Sequence, residues 1–130
     1  MTTLTVFDEI TGKGRGEPIV LEFLTDEITV RDLIRERVYQ DVKDFNLAGQ
    51  DVFQGLVQPT DSEQTSGGFR LKERRTIDWQ PQFEKACEAF QENRILVLVD
   101  DRQTESLDER FLVGPQTEVT FLKLVPLVGG

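Results

Sequence analysis

The sequence predicts an α+β domain with one main helix, and three observations carry that expectation. Thr3 to Ile10 and Ile19 to Leu24 alternate apolar and polar residues around a turn-rich loop, the pattern of two strands in a hairpin. A stripe at helical spacing follows directly, from Val30 to Phe45. Near the C-terminal end, Ile95-Leu96-Val97-Leu98-Val99 is a continuous apolar run and Glu118 to Leu124 alternates again. At 130 residues the chain has the length of one domain with a sizeable single core.

In the first strand, Leu4, Val6 and Ile10 share one face, and Thr3, Thr5 and Phe7 the other. The run Gly12-Lys13-Gly14-Arg15-Gly16 invites comparison with phosphate-binding loops. Those motifs need a strand before the glycines and a helix directly after. Here a strand follows, so the run reads as a hairpin connection with two exposed cations. Thr29 is placed as a helix N-cap, with Asp32 completing a short capping box. Val30, Leu33, Ile34, Arg37, Val38, Asp41, Val42 and Phe45 fall along one helical line, whose apolar members form a buried stripe. Asn46 and Gly49 are stop signals.

Residues 47–79 are less regular. Gln58 to Gly68 is polar and rich in turn formers. Phe69-Arg70-Leu71-Lys72-Glu73-Arg74-Arg75 is the basic cluster of an acidic chain. It reads either as a solvated face or, through Arg70, Lys72, Arg74 and Arg75, as a contact for an acidic surface. A second helix is expected over about 81–94, with Pro81 near its start and Phe83, Ala86, Cys87 and Phe90 on one apolar stripe. Cys87 in that stripe reads as a small hydrophobe. The run from Ile95 to Val99 predicts a central strand buried on both faces. Asp100-Asp101 turns the chain, Glu105 to Leu112 stands between loop and short strand, and Gly114-Pro115 precedes the last strand.

Composition bounds the function. The net charge of −9 and pI near 4.5 argue against nucleic acid and anionic membrane surfaces as partners and fit docking on a basic one. No apolar run approaches the length of a membrane span, and no signal peptide is evident. One cysteine suits a reducing cytoplasm. The chain has no histidine, the commonest general base and metal ligand, so neither a catalytic residue nor a metal site is expected. An enzyme built on Asp100, Asp101 and Glu105 is the weakest reading, because these acids sit beside a turn.

The final residues, Val125-Pro126-Leu127-Val128-Gly129-Gly130, follow the last strand. Two glycines carry no side chains, so another protein's backbone can enclose them closely. A carboxylate at Gly130 needs activation before it reacts with a thiol or an amine, and adenylation by ATP is the usual route. Pro126 fixes one φ in advance and lowers the cost of ordering the segment.

Strand, hairpin, strand, helix, further strands and a terminal Gly-Gly resembles the ubiquitin-like β-grasp proteins. It is similar above all to their prokaryotic sulfur-carrier branch, the small subunit of molybdopterin synthase and the thiamine sulfur carrier. Thr29-Val30-Arg31-Asp32-Leu33-Ile34 resembles the opening of that family's helix. Val113-Gly114-Pro115-Gln116-Thr117-Glu118-Val119 resembles the turn and last strand, with Pro115-Gln116 in place of the acidic turn. Val125 to Gly130 is similar to the Pro-Pro-x-x-Gly-Gly tail, with one proline missing. The resemblance covers roughly residues 1–46 and 95–130.

It implies a mixed sheet packed on the main helix in one β-grasp domain over 1–125. An insertion at about 47–94 carries the second helix, and 126–130 forms a flexible tail. It also implies a carrier, not an enzyme. An E1-like enzyme would use ATP to adenylate Gly130, with Gly129 and the tail residues Pro126, Leu127 and Val128 gripped by that partner. The acyl group would then pass to target proteins, with an E2-like enzyme and an isopeptidase as further partners. In the sulfur-carrier alternative it would become a thiocarboxylate for a sulfur-acceptor enzyme. A β-grasp binding module with an incidental Gly-Gly end is the remaining reading.

Overall fold

The computed structural model describes residues 1–49, 51–65, 67–73 and 75–124. Residues 126–130, expected as a flexible tail, therefore lie outside the described residues.

The main sheet is mixed. β1 (Thr2–Ile10) lies inside it, flanked along one edge by β2 (Gly14–Arg15) and β3 (Ile19–Phe23), both antiparallel to it. On its other edge β1 pairs in parallel with β11 (Glu118–Lys123), from Thr5 opposite Glu118 to Ile10 opposite Lys123. β8 (Ile95–Val99) is antiparallel to β11, and β9 (Arg102–Gln103) closes the far edge. The spatial order is thus β3-β1-β11-β8-β9, with β2 continuing the β3 edge. A small antiparallel pair joins β4 (Glu27–Thr29) to β10 (Arg110–Leu112). A three-stranded sheet has β7 (Gly68–Leu71) between β5 (Val52–Phe53) and β6 (Ser62–Thr65).

α1 (Val30–Ala48) starts and stops for legible reasons. Thr29 Oγ1 accepts the Asp32 N–H at 3.0 Å, and the Asp32 carboxylate accepts the Thr29 N–H at 3.1 Å. This reciprocal box satisfies two backbone donors that a helix start leaves open. Gly49 ends the helix in the left-handed region at φ 65°, where a side chain would be strained. Asn46 is no stop. Its amide accepts the Ile77 N–H at 2.9 Å and donates to the Ile77 carbonyl at 3.1 Å, fastening the approach to the second helix.

The core lies between α1 and one sheet face, where Leu4, Val6, Leu21, Val97, Val119 and Phe121 meet Val30, Leu33, Ile34 and Val38. The segment 47–94 adds Phe53, Leu56, Leu71, Ile77 and Ala86 to the same cluster. α2 (Trp79–Gln91) begins at the Asp78 cap, earlier than the sequence implies, and ends before residue 94.

Three local expectations are corrected. α2 buries Gln82, Ala86, Ala89 and Phe90, while Phe83 and Cys87 are only half-buried. The helix turns Gln82 inward, where its amide donates to the Val57 carbonyl at 3.1 Å and holds the loop before β6. In β8, Ile95, Val97 and Val99 are buried but Leu96 and Leu98 are half-exposed, so the strand is not buried on both faces. Their neighbours across the sheet, Leu122 and Thr120, lie on the face opposite α1. The polar, turn-rich stretch before the basic cluster is not all turn: it contains β6, which pairs in a hairpin with β7 at the start of that cluster. β6 has no fully buried residue; its order comes from backbone pairing to β7, from the Thr65 hydroxyl donating to the Gly68 carbonyl at 3.1 Å, and from Leu71 of β7, which is buried in the core.

The glycine-rich run is a hairpin connection, as expected, with Gly12 and Gly14 at φ 82° and 81°. Arg15 is more than a solvated cation. Its guanidinium stacks 4.0 Å from the Phe7 ring centroid and donates to Thr120 Oγ1 at 3.1 Å.

Candidate functional site

β1 and β11 run side by side and end together, so the chain leaves the middle of the sheet at residue 124. The exit is held on both sides. The Lys123 carbonyl accepts from the Thr11 N–H at 3.2 Å and from Thr11 Oγ1 at 3.3 Å. The Leu124 N–H donates to the Arg94 carbonyl at 3.1 Å. The expected site residues Pro126, Leu127, Val128, Gly129 and Gly130 continue from this point and lie outside the described residues.

Beneath the exit is a charge quartet: Asp8 on β1, Arg37 and Asp41 on α1, and Lys123 on β11. Asp8 shares the face of Leu4 and Val6, and Arg37 and Asp41 stand one turn apart on the apolar line of α1, so the fold drives these charges inward. Arg37 is 0% exposed. Its Nη2 donates to Asp8 Oδ2 at 2.8 Å, and its Nε to the two Asp41 oxygens at 2.9 and 3.0 Å. The guanidinium also lies 5.2 Å from the Phe121 ring centroid. Lys123 Nζ is 3.7 Å from Asp8 Oδ2 and donates to the Gly55 carbonyl at 3.4 Å. The Leu56 N–H donates to Asp41 Oδ2 at 3.1 Å. Two cations face two carboxylates, as buried charges must.

The surroundings split the two carboxyls. Burial pushes Asp41 above its ordinary 3.8, more than Arg37 pulls it down, and the Asp8 charge pushes the same way. Asp8 is also pushed up by burial, but Arg37 and then Lys123 outweigh this and hold it below 3.8. Burial draws Lys123 below its ordinary 10.5, against the pull of Asp8. Burial opposes the Arg37 charge too, yet Asp41 and Asp8 hold that group above the ordinary arginine value.

Sequence reasoning placed Arg37 and Asp41 on the helical line but drew no site from them. The signal was there: two opposite charges at i, i+4 inside an apolar stripe, and an acid on the apolar parity of β1.

The basic cluster stands apart from this exit. Arg70 and Lys72 are exposed and make no ion pair among the described residues. Arg75 donates to the Thr60 carbonyl, and Arg74 lies outside the described residues. Of the acids weighed for catalysis, Asp100 has a structural role, while Asp101 and Glu105 are exposed. The Asp100 carboxylate accepts the Glu118 N–H at 3.0 Å in a turn where Asp100 and Asp101 have φ of 48° and 68°. The Glu105 N–H donates to Glu109 Oε1 at 3.0 Å. Burial raises the Cys87 thiol, with Arg31 opposing, the opposite of an activated nucleophile. Among the described residues no three His, Cys, Asp or Glu side chains are grouped to hold a metal, and no helix is long and apolar enough to cross a membrane.

No family model, no curated protein and no solved structure matches the chain.

Proposed function

We propose that this chain is a ubiquitin-like β-grasp carrier that works through the carboxylate of Gly130. The observation that carries the reading is the course of β11. It is the parallel partner of β1 at the centre of a sheet ordered β3-β1-β11-β8-β9, with α1 across one face, and it runs directly into Val125-Pro126-Leu127-Val128-Gly129-Gly130. That order, with the first and last long strands adjacent and parallel, supports the β-grasp. The side-chain-free Gly129-Gly130 supports a channel-binding role, since a narrow channel admits a backbone without Cβ atoms.

In this reading the chain is the substrate of an E1-like enzyme rather than an enzyme itself. The Gly130 carboxylate attacks the α-phosphorus of ATP, pyrophosphate leaves, and the acyl adenylate then loses AMP to a thiol. Transfer to a target amine makes the chain a protein modifier, the reading preferred here for its length and charged surface. Replacement of the carboxylate by a thiocarboxylate makes it a sulfur donor.

Intact mass spectrometry tests this after incubation with a candidate activating enzyme, ATP and either a sulfide donor or cell lysate. A covalent adduct on a target protein supports the modifier, and a carboxylate with one oxygen exchanged for sulfur supports the donor. A mass unchanged in both, with an enzyme active on its own carrier, leaves a β-grasp binding module.

A further inference from the structure

The quartet does more than balance charge, because it joins two parts of the chain that lie far apart in sequence. Gly55 and Leu56 belong to the inserted segment, and Lys123 is the last residue of β11. The contacts form a closed circuit: Leu56 N–H to Asp41, Asp41 to Arg37, Arg37 to Asp8, Asp8 to Lys123, Lys123 to the Gly55 carbonyl. The circuit returns to the adjacent residue on the inserted loop. Arg37 is 0% exposed and the Asp41 side chain 11%. Removing one member of a buried charge set leaves the others uncompensated. Water must then enter, and the inserted loop is the lid over that space.

Loop geometry depends on Gly55. A Cβ there would stand 2.0 Å from Cε2 and Cζ of Phe53. The Phe53 ring is 1% exposed and packs edge-on against Phe45 at 5.4 Å, so it has little room to yield. Only glycine lets the chain pass close enough for its carbonyl to meet Lys123.

We propose that this circuit couples the inserted loop at Gly55-Leu56 to the point where the chain leaves β11, so that the two open and close as one unit. A partner gripping the inserted segment would thereby tighten the root of residues 125–130, and one that lifts the loop would loosen it. The inference stands on the circuit alone and does not need the carrier reading.

Native-state hydrogen exchange on the whole chain tests it. The Leu56 amide reports the loop, and the Thr11 and Leu124 amides report the exit. The Val30 amide, bonded to the Glu109 carbonyl at 3.0 Å at the far end of α1, reports global opening. In the unmodified protein, Leu56, Thr11 and Leu124 should share one opening free energy and one urea dependence, both smaller than those of Val30. Gly55→Ala alters no charge, and Lys123→Met alters none of the loop. Each should speed all three amides by roughly tenfold relative to Val30, the scale of one charge-assisted hydrogen bond lost. Different opening free energies for loop and exit in the unmodified protein overturn the coupling. So does acceleration of Leu56 alone in Gly55→Ala, or of Thr11 and Leu124 alone in Lys123→Met. The unmodified measurement stands even where a variant fails to fold.

Discussion

Arg37 lies on the same helical line as Leu33, Ile34 and Val38, and it is as fully buried as they are. What makes this tolerable is geometry: its guanidinium hydrogen bonds all go to carboxylates, Asp41 and Asp8, and are charge-assisted. Among the described residues no buried side-chain nitrogen or oxygen lacks a partner. Such a set adds little net stability over an apolar replacement but is costly to break.

Its pH dependence has a definite sign. Asp8 is held below its ordinary 3.8 when folded. It therefore contributes stability above pH 3.8 that disappears as pH falls through the lower folded value. Asp41, pushed above 3.8 by burial, acts oppositely, its share being present below 3.8 and lost as pH rises through the raised folded value. For Asp8→Asn we expect a lower urea midpoint than the native protein at pH 7. That difference should shrink as pH falls below 3.8, because a protonated Asp8 resembles the amide. A difference that stays constant to lower pH would mean that Asp8 titrates normally. None of this was legible from composition. An Arg and an Asp in an apolar stripe can turn their charged ends to solvent, and it is Asp8, on the facing side of β1, that gives the buried Arg37 a partner across the core.

At the level of elements, local chemistry was readable where one residue decides the outcome. Thr29 with Asp32 starts α1 and Gly49 ends it, because caps are set within a turn of chain. The phase of α2 was not readable. Its apolar residues fit two neighbouring stripes, and Gln82, a polar residue, settles the choice by bonding to Val57 across 25 positions of sequence. β6 was missed for the opposite reason: a strand with no fully buried residue leaves little hydrophobic pattern to read.

β7 also sets how the basic cluster is displayed. Successive strand residues point to opposite faces, so Arg70 lies across from Leu71, which is buried and ends the strand, and Lys72 follows directly as an exposed residue. We expect Arg70→Glu with Lys72→Glu to leave the unfolding midpoint near the native value, since both side chains are exposed. If this face meets an acidic partner, reversal should slow association, and the native on-rate should fall as salt rises. On-rates that ignore both changes would make β7 a solvated face.

Across the whole molecule, the sequence order of elements was readable but their pairing was not. Alternation marks β1 and β11 as strands, while their parallel adjacency joins residues more than a hundred positions apart and leaves no local trace. That adjacency places the chain's exit at the centre of the sheet, above the quartet and between Thr11 and Arg94. From there the reach to Gly130 is fixed by covalent geometry. One added residue moves a carboxylate by about 3.3–3.6 Å along an extended chain, and a displacement of about 1 Å can cost roughly a hundredfold in a positioned reaction. If the Gly130 carboxylate is the reacting group, Gly129→Ala should weaken ATP–pyrophosphate exchange by the activating enzyme, because a channel shaped for glycine meets a Cβ. Adding one alanine after Gly130, or deleting Gly130, should abolish exchange. The melting temperature should stay at the native value in all three, since none alters a core residue among the described ones. Arg37→Met provides the contrast: it should lower the melting temperature while leaving the chemistry of the end group untouched. Equal exchange rates for the extended, shortened and native chains would end the carrier reading and leave a module that binds through its folded surface.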